Sequence, residues 1–539
     1  MTTNTPGGQQ LPVNVVGSST FGRYQKISSE KTYNMFISDG WIVNFAGYKR
    51  VLQLLPAGEG RGIFRSIRGN FLLVVVNSNV YRIDANLGAI LIGAITTVTG
   101  AVFIDENLAN QICIVDGQNY YIYQHSLPPN LTVGAAVPGF IPNYVNFHNS
   151  FFLFGNGDIT GNGAAWFAYS AAAGPNPTTL VLTSTLALQT KPDYAIAVVR
   201  IPSQSANVLV FGTAVVEVHT QVGGTLNYRR VNTISVDYGC LSVDTIDAAD
   251  SYVAWLGVND STGPVIMVYS GQGAAPISSD GIDYVMSTIR FPNESSAMFR
   301  RVDGHLVYQL TFFNPADNLT LAYDFNTQKF YHLSDQALNY HPARDYAYFN
   351  QKTYMLSLNN ASLYETSTDI TVIDENISPA NDPTQIFDMQ RLRITENIMQ
   401  EDSDKFIVNY LAITLEQGND PTVTGLSLNM IDPVITESIF TPPDTQTITE
   451  DGFEIVTQDS WHGAGAYVAP YQPRVDLSIS YDGGITWSAT VSRELNPSGY
   501  RKNILNWNRL GACNSITFKF RFWGTNCFVV NNGIIEVKS

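Results

Sequence analysis

Positive charge is scarce in this chain. Of 539 residues only 14% are charged, with 30 Lys and Arg against 46 Asp and Glu, for a net charge of −16 at pH 7. A surface that neutralises many phosphates must be basic, so the balance argues against sequence-reading nucleic-acid binding. The small basic groups Arg61, Arg65, Arg68 and Arg300, Arg301 read as ordinary surface charges. Cysteine is equally sparse. Cys113, Cys240, Cys513 and Cys527 are scattered without CxxC spacing, the usage of reduced thiols in a protein made in the cytoplasm. No apolar run approaches the 18 residues of a membrane span, and "MTTNTPGGQQLPVN" at the start has neither the basic patch nor the apolar stretch of a secretory signal.

Signatures of catalysis are also missing. There is no Walker A motif, no HExxH and no G-x-S-x-G, and His125, His148, His219, His305, His332, His341 and His462 show no metal-ligand spacing. The expectation is therefore no enzyme, with no catalytic, cofactor-binding or metal residues and no cofactor. Paired carboxylates of a glycosidase can still meet in space from distant positions, which sequence does not reveal. "EDSD", Glu401 to Asp404, lacks the alternating ligands and glycine of a calcium loop and reads as a solvated acidic turn.

What the chain does have is repetition. "NFLLVVVNSNVYRID" (70–84) is an apolar strand, a short polar turn and a second strand ending near a tyrosine, and similar units recur. Their tyrosines are Tyr81, Tyr123, Tyr169, Tyr269, Tyr323 and Tyr364, with gaps of 42, 46, 100, 54 and 41 residues. The gap of 100 is two periods, and "ANVLVFGTAVVEVHT" (206–220) supplies the missing unit with Val218 in the tyrosine's place. Seven units of 40 to 55 residues, each with at least two strands, are the signature of β-propeller blades, which bury their faces only against one another. The rings are expected to pack between blades with their hydroxyls reaching solvent or backbone. An upstream hairpin, "TYNMFISDGWIVNFAGYKR" (32–50), turns at Asp39-Gly40 and is expected to complete the last blade.

Past Tyr364 the period stops. "TSTDITVIDENISPANDPTQ" (366–385) has the polar, proline-bearing character of a linker. Strand-like runs follow at 405–418, 474–484, 514–524 and 527–537, with alternation at Val475, Leu477, Ile479 and at Ile516, Phe518, Phe520. Period two with Gly and Pro turns predicts a β-sandwich. The predicted organisation is all-β: an N-terminal arm (1–30), a seven-bladed propeller (31–370), and a sandwich-like C-terminal domain (371–539) with a long loop insertion at about 419–470. "SYDGGITW", Ser480 to Trp487, fits the Asp-box pattern of sialidases, but it stands once and outside the propeller. Its expected role is structural, with Asp482 capping a turn over Trp487.

"LPVN" (11–14), the stretch from "VDYGC" to "APIS" (236–278), "LSISYDGGITWS" (477–488) and "ILNWNRLGACNSITFKFRF" (504–522), in that order, resemble the tail-hub proteins of short-tailed bacteriophages, also called packaged DNA stabilisation or head-completion proteins. The 419–470 insertion departs from that pattern. The resemblance implies a structural virion protein of the tail, synthesised in the host cytoplasm. It implies a sixfold homo-oligomeric ring below the portal and adaptor that retains packaged DNA, lets it pass without sequence-specific binding, and anchors fibres, spikes or a needle. The alternatives are a propeller glycosidase or lyase and an adhesin-like receptor-binding protein. Carboxylates converging in a central pocket would favour the glycosidase, and a peripheral position in the particle the adhesin.

Overall fold

A computed structural model describes residues 9–19, 29–125, 131–160, 166–170, 180–222, 228–377, 382–399, 405–418, 448–450, 453–455, 473–496 and 501–538. Within them lie seven small antiparallel sheets that follow one another around an axis. The innermost strands, one per blade, are Gly60–Ser66, Phe103–Glu106, Pro142–His148, Ala197–Arg200, Asp247–Ala249, Ser295–Val302 and Ala343–Phe349. From each, the chain meanders outward. The third strand of every blade carries the residue that set the period: Tyr81, Tyr123, Tyr169, Val218, Tyr269, Tyr323 and Tyr364, all at most 9% exposed. These side chains join apolar clusters, and several of the clusters bridge neighbouring blades. Their polar tips are used locally: the Tyr269 hydroxyl donates to the Gly271 carbonyl (3.1 Å) and the Tyr364 hydroxyl to Glu375 (2.8 Å).

A ring of blades needs its last sheet joined to the first part of the chain. Gly47–Gln53 does this as the fourth strand of blade seven, antiparallel to Ser362–Ser367, with Leu52 opposite Leu363. An open edge becomes a paired one, and the circle is locked by hydrogen bonds between distant segments. Gly47 sits where the backbone of Ile370 and Val372 passes so close that an added Cβ would lie 2.4 and 2.5 Å from their carbonyl oxygens. Of the stretch 32–50 expected to complete this blade, only the end, from Gly47 onward, does so, and the hairpin turning at Asp39-Gly40 does not. Its strands, Met35–Ser38 and Trp41–Asn44, pair onward with Phe528–Val530 and belong to the second unit. A hairpin signal sets a local turn, whereas the partner of its outer edge depends on what the rest of the chain brings alongside.

That second unit is a β-sandwich. One sheet contains Gln9–Val13, Gly533–Lys538, Phe406–Gln417, Lys502–Cys513 and Phe528–Val530 together with the hairpin. The other contains Lys31–Tyr33, Arg391–Ile394, Ser515–Trp523, Arg474–Ser480 and Val491–Glu494. Their inner faces share one core, in which the alternating Val475, Leu477, Ile479 and Ile516, Phe518, Phe520 meet Leu411, Ile413, Leu415 and Trp507. The second sheet is continuous with blade six, because Tyr33 pairs in parallel with His332 of that blade's outermost strand. The stretch 366–385, expected to be a linker, instead ends the strand Ser362–Ser367 and adds Val372–Asp374 beside Gly47–Gln53. Val372 and Ile373 are buried there, which outweighs the polar composition around them. The 419–470 insertion and Glu401 to Asp404 fall largely outside the described residues. Within the insertion only Ile448–Glu450 and Phe453–Ile455 are described, and they pair with each other.

Two buried arginines tie separate segments of the sandwich together, and the second of them holds the N-terminal segment. Arg391 pairs with Asp388 (2.8 Å) and donates to the carbonyls of Asn526 and Gly524. Arg393, fully buried, donates to the carbonyls of Val15 (2.8 Å) and Ser18 (3.0 Å) and to Glu30 (2.5 Å). A guanidinium has five donors in a fixed fork, and here carbonyls of a returning chain segment meet them.

Candidate functional site

The innermost strands of all seven blades converge on an axial cavity of about 210 Å³. Its chemistry comes from Asp105, Asp247 and Asp345, the Asp244–Arg344 pair, Arg61 and Arg200. Most of these groups are already in use. Asp105 accepts the N–H of Glu106 (2.8 Å) and, across the blade boundary, that of Phe147 (2.7 Å). Asp247 likewise takes the N–H of Ala248 (2.7 Å) and that of Phe299 in the next blade (2.6 Å). Asn146 takes the N–H of Arg200 (2.9 Å). Three blades thus reach their neighbours with the same device, a short polar side chain capping the first amide it meets on the adjacent inner strand.

Two of the three cavity arginines, Arg344 and Arg61, are held as firmly. Arg344 grips Asp244 with both nitrogens, at 2.7 and 2.6 Å. Arg61, 1% exposed, donates to the carbonyls of Gly100 (2.7 Å), Asn77 (2.8 Å) and Thr97 (2.7 Å). Arg300, 6% exposed, stacks over Tyr346 at 4.1 Å and Phe45 at 5.1 Å. Arg61 and Arg300 are therefore not the surface charges the sequence suggested, whereas Arg65, Arg68 and Arg301 are exposed. Spacing along a strand does not reveal that carbonyls and aromatic faces will surround a guanidinium.

Burial in the cavity raises the acids. It pushes Asp345 up to about 8, with the Asp247 carboxylate adding to the effect. Asp247 goes to about 6 against two backbone N–H bonds, and Asp244 to about 6 against the Arg344 charge. Asp345 is the least committed of them. It accepts the N–H of Tyr346 at Oδ1 (2.7 Å), and among the described residues Oδ2 has no hydrogen-bond donor. Apart from Arg61, read as a surface charge, none of these axial residues was singled out in the sequence. The available signal was the recurrence of Asp or Asn in the first strand of several units, which emerges only once the units are aligned on their tyrosines.

Asp482 lies far from this cavity in chain and fold. Its carboxylate accepts the Ser480 hydroxyl (2.6 Å), the N–H groups of Ile485 (3.0 Å) and Thr486 (2.9 Å), and the Thr486 hydroxyl (2.5 Å). These bonds hold it well below the usual carboxylate range. Gly483 and Gly484 take the positive φ values of 72° and 97° that the turn demands. Among the described residues no cluster of His, Cys, Asp and Glu is placed to hold a metal ion. The four cysteines are free.

The class of protein is thus a closed seven-bladed propeller fused through a shared sheet to a β-sandwich, with polar clasps rather than open ligand sites along its axis. Residues 29–371 match the family described as bacteriophage P22 Gp10, beta-propeller. The chain belongs to that family of phage stabilisation proteins and is a phage structural protein. No curated protein matches it. Among solved structures it is similar to a streptogramin B lyase (11% identity, TM-score 0.40, 61% of this chain and 99% of that one). It is also similar to a virginiamycin B lyase from Staphylococcus aureus (9% identity, TM-score 0.41, 60% and 99%) and to the N-terminal domain of Nup159 (8%, 0.38, 63% and 99%). Likeness at this level carries nothing about activity.

Proposed function

We propose that this chain is the tail hub, or nozzle, of a short-tailed phage: copies form a sixfold ring beneath the portal and adaptor, close the head–tail channel after packaging, and anchor fibres, spikes or a needle. Family membership carries the reading. The build supports it, since a propeller closed by Gly47–Gln53 and sharing a sheet with the sandwich is suited to bearing load. Net charge of −16 suits a conduit that packaged DNA crosses without adhering.

The glycosidase alternative has one observation in its favour, the carboxylates gathered in the axial cavity. Glycoside hydrolysis needs two carboxyl groups free to reach opposite sides of the scissile bond. Here Asp105 and Asp247 have both oxygens committed to backbone N–H groups and Asp244 is forked to Arg344, which leaves Asp345 alone. Cryo-electron microscopy of the particle tests the hub reading. The expected result is a ring of this chain on the tail axis, and copies at fibre tips, or none in the virion, would overturn it.

A further inference from the structure

The sandwich ends in two edge strands, Val491–Glu494 and Lys502–Cys513, each paired on one side only among the described residues. Arg493 ties them together by donating to the Asn506 carbonyl (3.0 Å). In a chain this acidic, the edge is exceptional. Arg493, Arg501, Lys502 and Arg509 are all exposed around it, against the two acids Glu494 and Glu416, the latter opposite Lys502 in the ladder, and Val491 (45%) and Ile504 (60%) lie open among them. Unpaired backbone groups, exposed apolar side chains and a surplus of positive charge together are a contact surface for something acidic.

The propeller carries the complement. Between blades five and six the repeat is interrupted by the α-helix Asp280–Thr288. Tyr284 (41%) and Phe291 (45%) are exposed there, among Asp280, Asp283, Glu294 and Asp317, with Arg290 the basic residue in the group. Asp317 fixes the corner by accepting the N–H groups of Arg290 and Phe291, both at 2.8 Å. The two surfaces cannot meet within one chain. From Leu319–Asp324, beside the corner, to Val491–Glu494 the shared sheet runs six strand spacings, about 29 Å at roughly 4.8 Å each.

We infer that the basic edge of the sandwich docks on the acidic, aromatic helix corner of the propeller of a second copy of this chain. The inference rests on the ring reading above and supplies its contact. Because the two patches differ, the contact is head to tail, the kind that generates a closed ring when the rotation per step permits. Opposite charge sets the register while Tyr284, Phe291, Val491 and Ile504 are covered.

Charge reversal in assembled particles tests it. Arg501→Glu with Lys502→Glu, and separately Asp280→Lys with Glu294→Lys, are each expected to lower incorporation at least about tenfold, and all four changes together to restore it. Thermal melting of each free variant checks that these exposed changes leave the fold intact. Carbodiimide treatment of unaltered particles should join Lys502 of one copy to Asp280 or Glu294 of the next. A tail-axis ring that forms equally well with either reversal, or cross-links elsewhere, overturns the contact and leaves the hub reading standing. A virion without a ring of this chain overturns both.

Discussion

Asp345 is the residue at which the fold tolerates most. Burial drives its carboxyl up to about 8, far above its unfolded value of about 4, so the folded state favours the protonated form. Its stabilising contribution is therefore complete below about pH 4 and is lost as pH rises through about 8. Asp345→Asn keeps an acceptor for the Tyr346 N–H but never ionises. The variant should melt like the parent at pH 4 and increasingly above it as pH rises to 8, a trend that calorimetry across that range reads directly. A constant difference at every pH would show that ionisation is not the cause. Arg393 makes the opposite case, a buried charge fully matched by carbonyls and Glu30. Removing one partner of such a set strands the others, so Arg393→Met should destabilise by about 3 to 5 kcal/mol in denaturant titration.

At the scale of elements, the closing strand Gly47–Gln53 decides whether seven blades make a ring. Gly47→Val places branched carbons against the Ile370 and Val372 carbonyls. The expected cost is about 1 to 3 kcal/mol or more, with faster amide exchange localised to blade seven and the strand itself. Uniform loss of protection across all blades would instead mean that closure is not a local weak point. The Asp482 turn is a smaller unit of the same kind. Asp482→Ala should speed exchange at the Ile485 and Thr486 amides while the sandwich core stays protected. Activity on sialosides present in the parent and absent in the variant would reassign the motif to catalysis.

For the molecule as a whole, buried histidines set an acid limit that opposes the Asp345 effect. Burial pushes His332 and His341 down to about 3, and also lowers His148, whose ring nitrogens lie 2.9 Å from the Tyr228 hydroxyl and the Ser205 carbonyl. These rings fold as neutral groups. Their contribution is complete above the unfolded value of about 6.5 and is lost as pH falls through the folded values, because the unfolded chain then binds protons that the fold refuses. Stability should therefore peak near about pH 6, between the acid loss from histidines and the alkaline loss from axial carboxylates. Melting temperatures across pH 3 to 9 check this, and His341→Gln should flatten the acid limb.

How much of this was written in the chain depends on the range over which each instruction acts. The seven-fold period, the all-β class and the sandwich core were legible, because tyrosines at blade spacing and alternation at Val475, Leu477 and Ile479 are local patterns that hydrophobic burial enforces wherever the strands end up. Family membership followed from scattered stretches in the right order. Tertiary structure alone decided that Gly47–Gln53, not the hairpin before it, closes the ring, and that Gln9–Val13 joins the last strand of the chain. It alone turned Arg61, Arg300 and Arg393 into buried clasps and brought Asp105, Asp247 and Asp345 to one axis. The physical reason is common to all of these: a strand's edge and a charged side chain state what they require, a ladder or a counter-group, but not which distant segment will supply it.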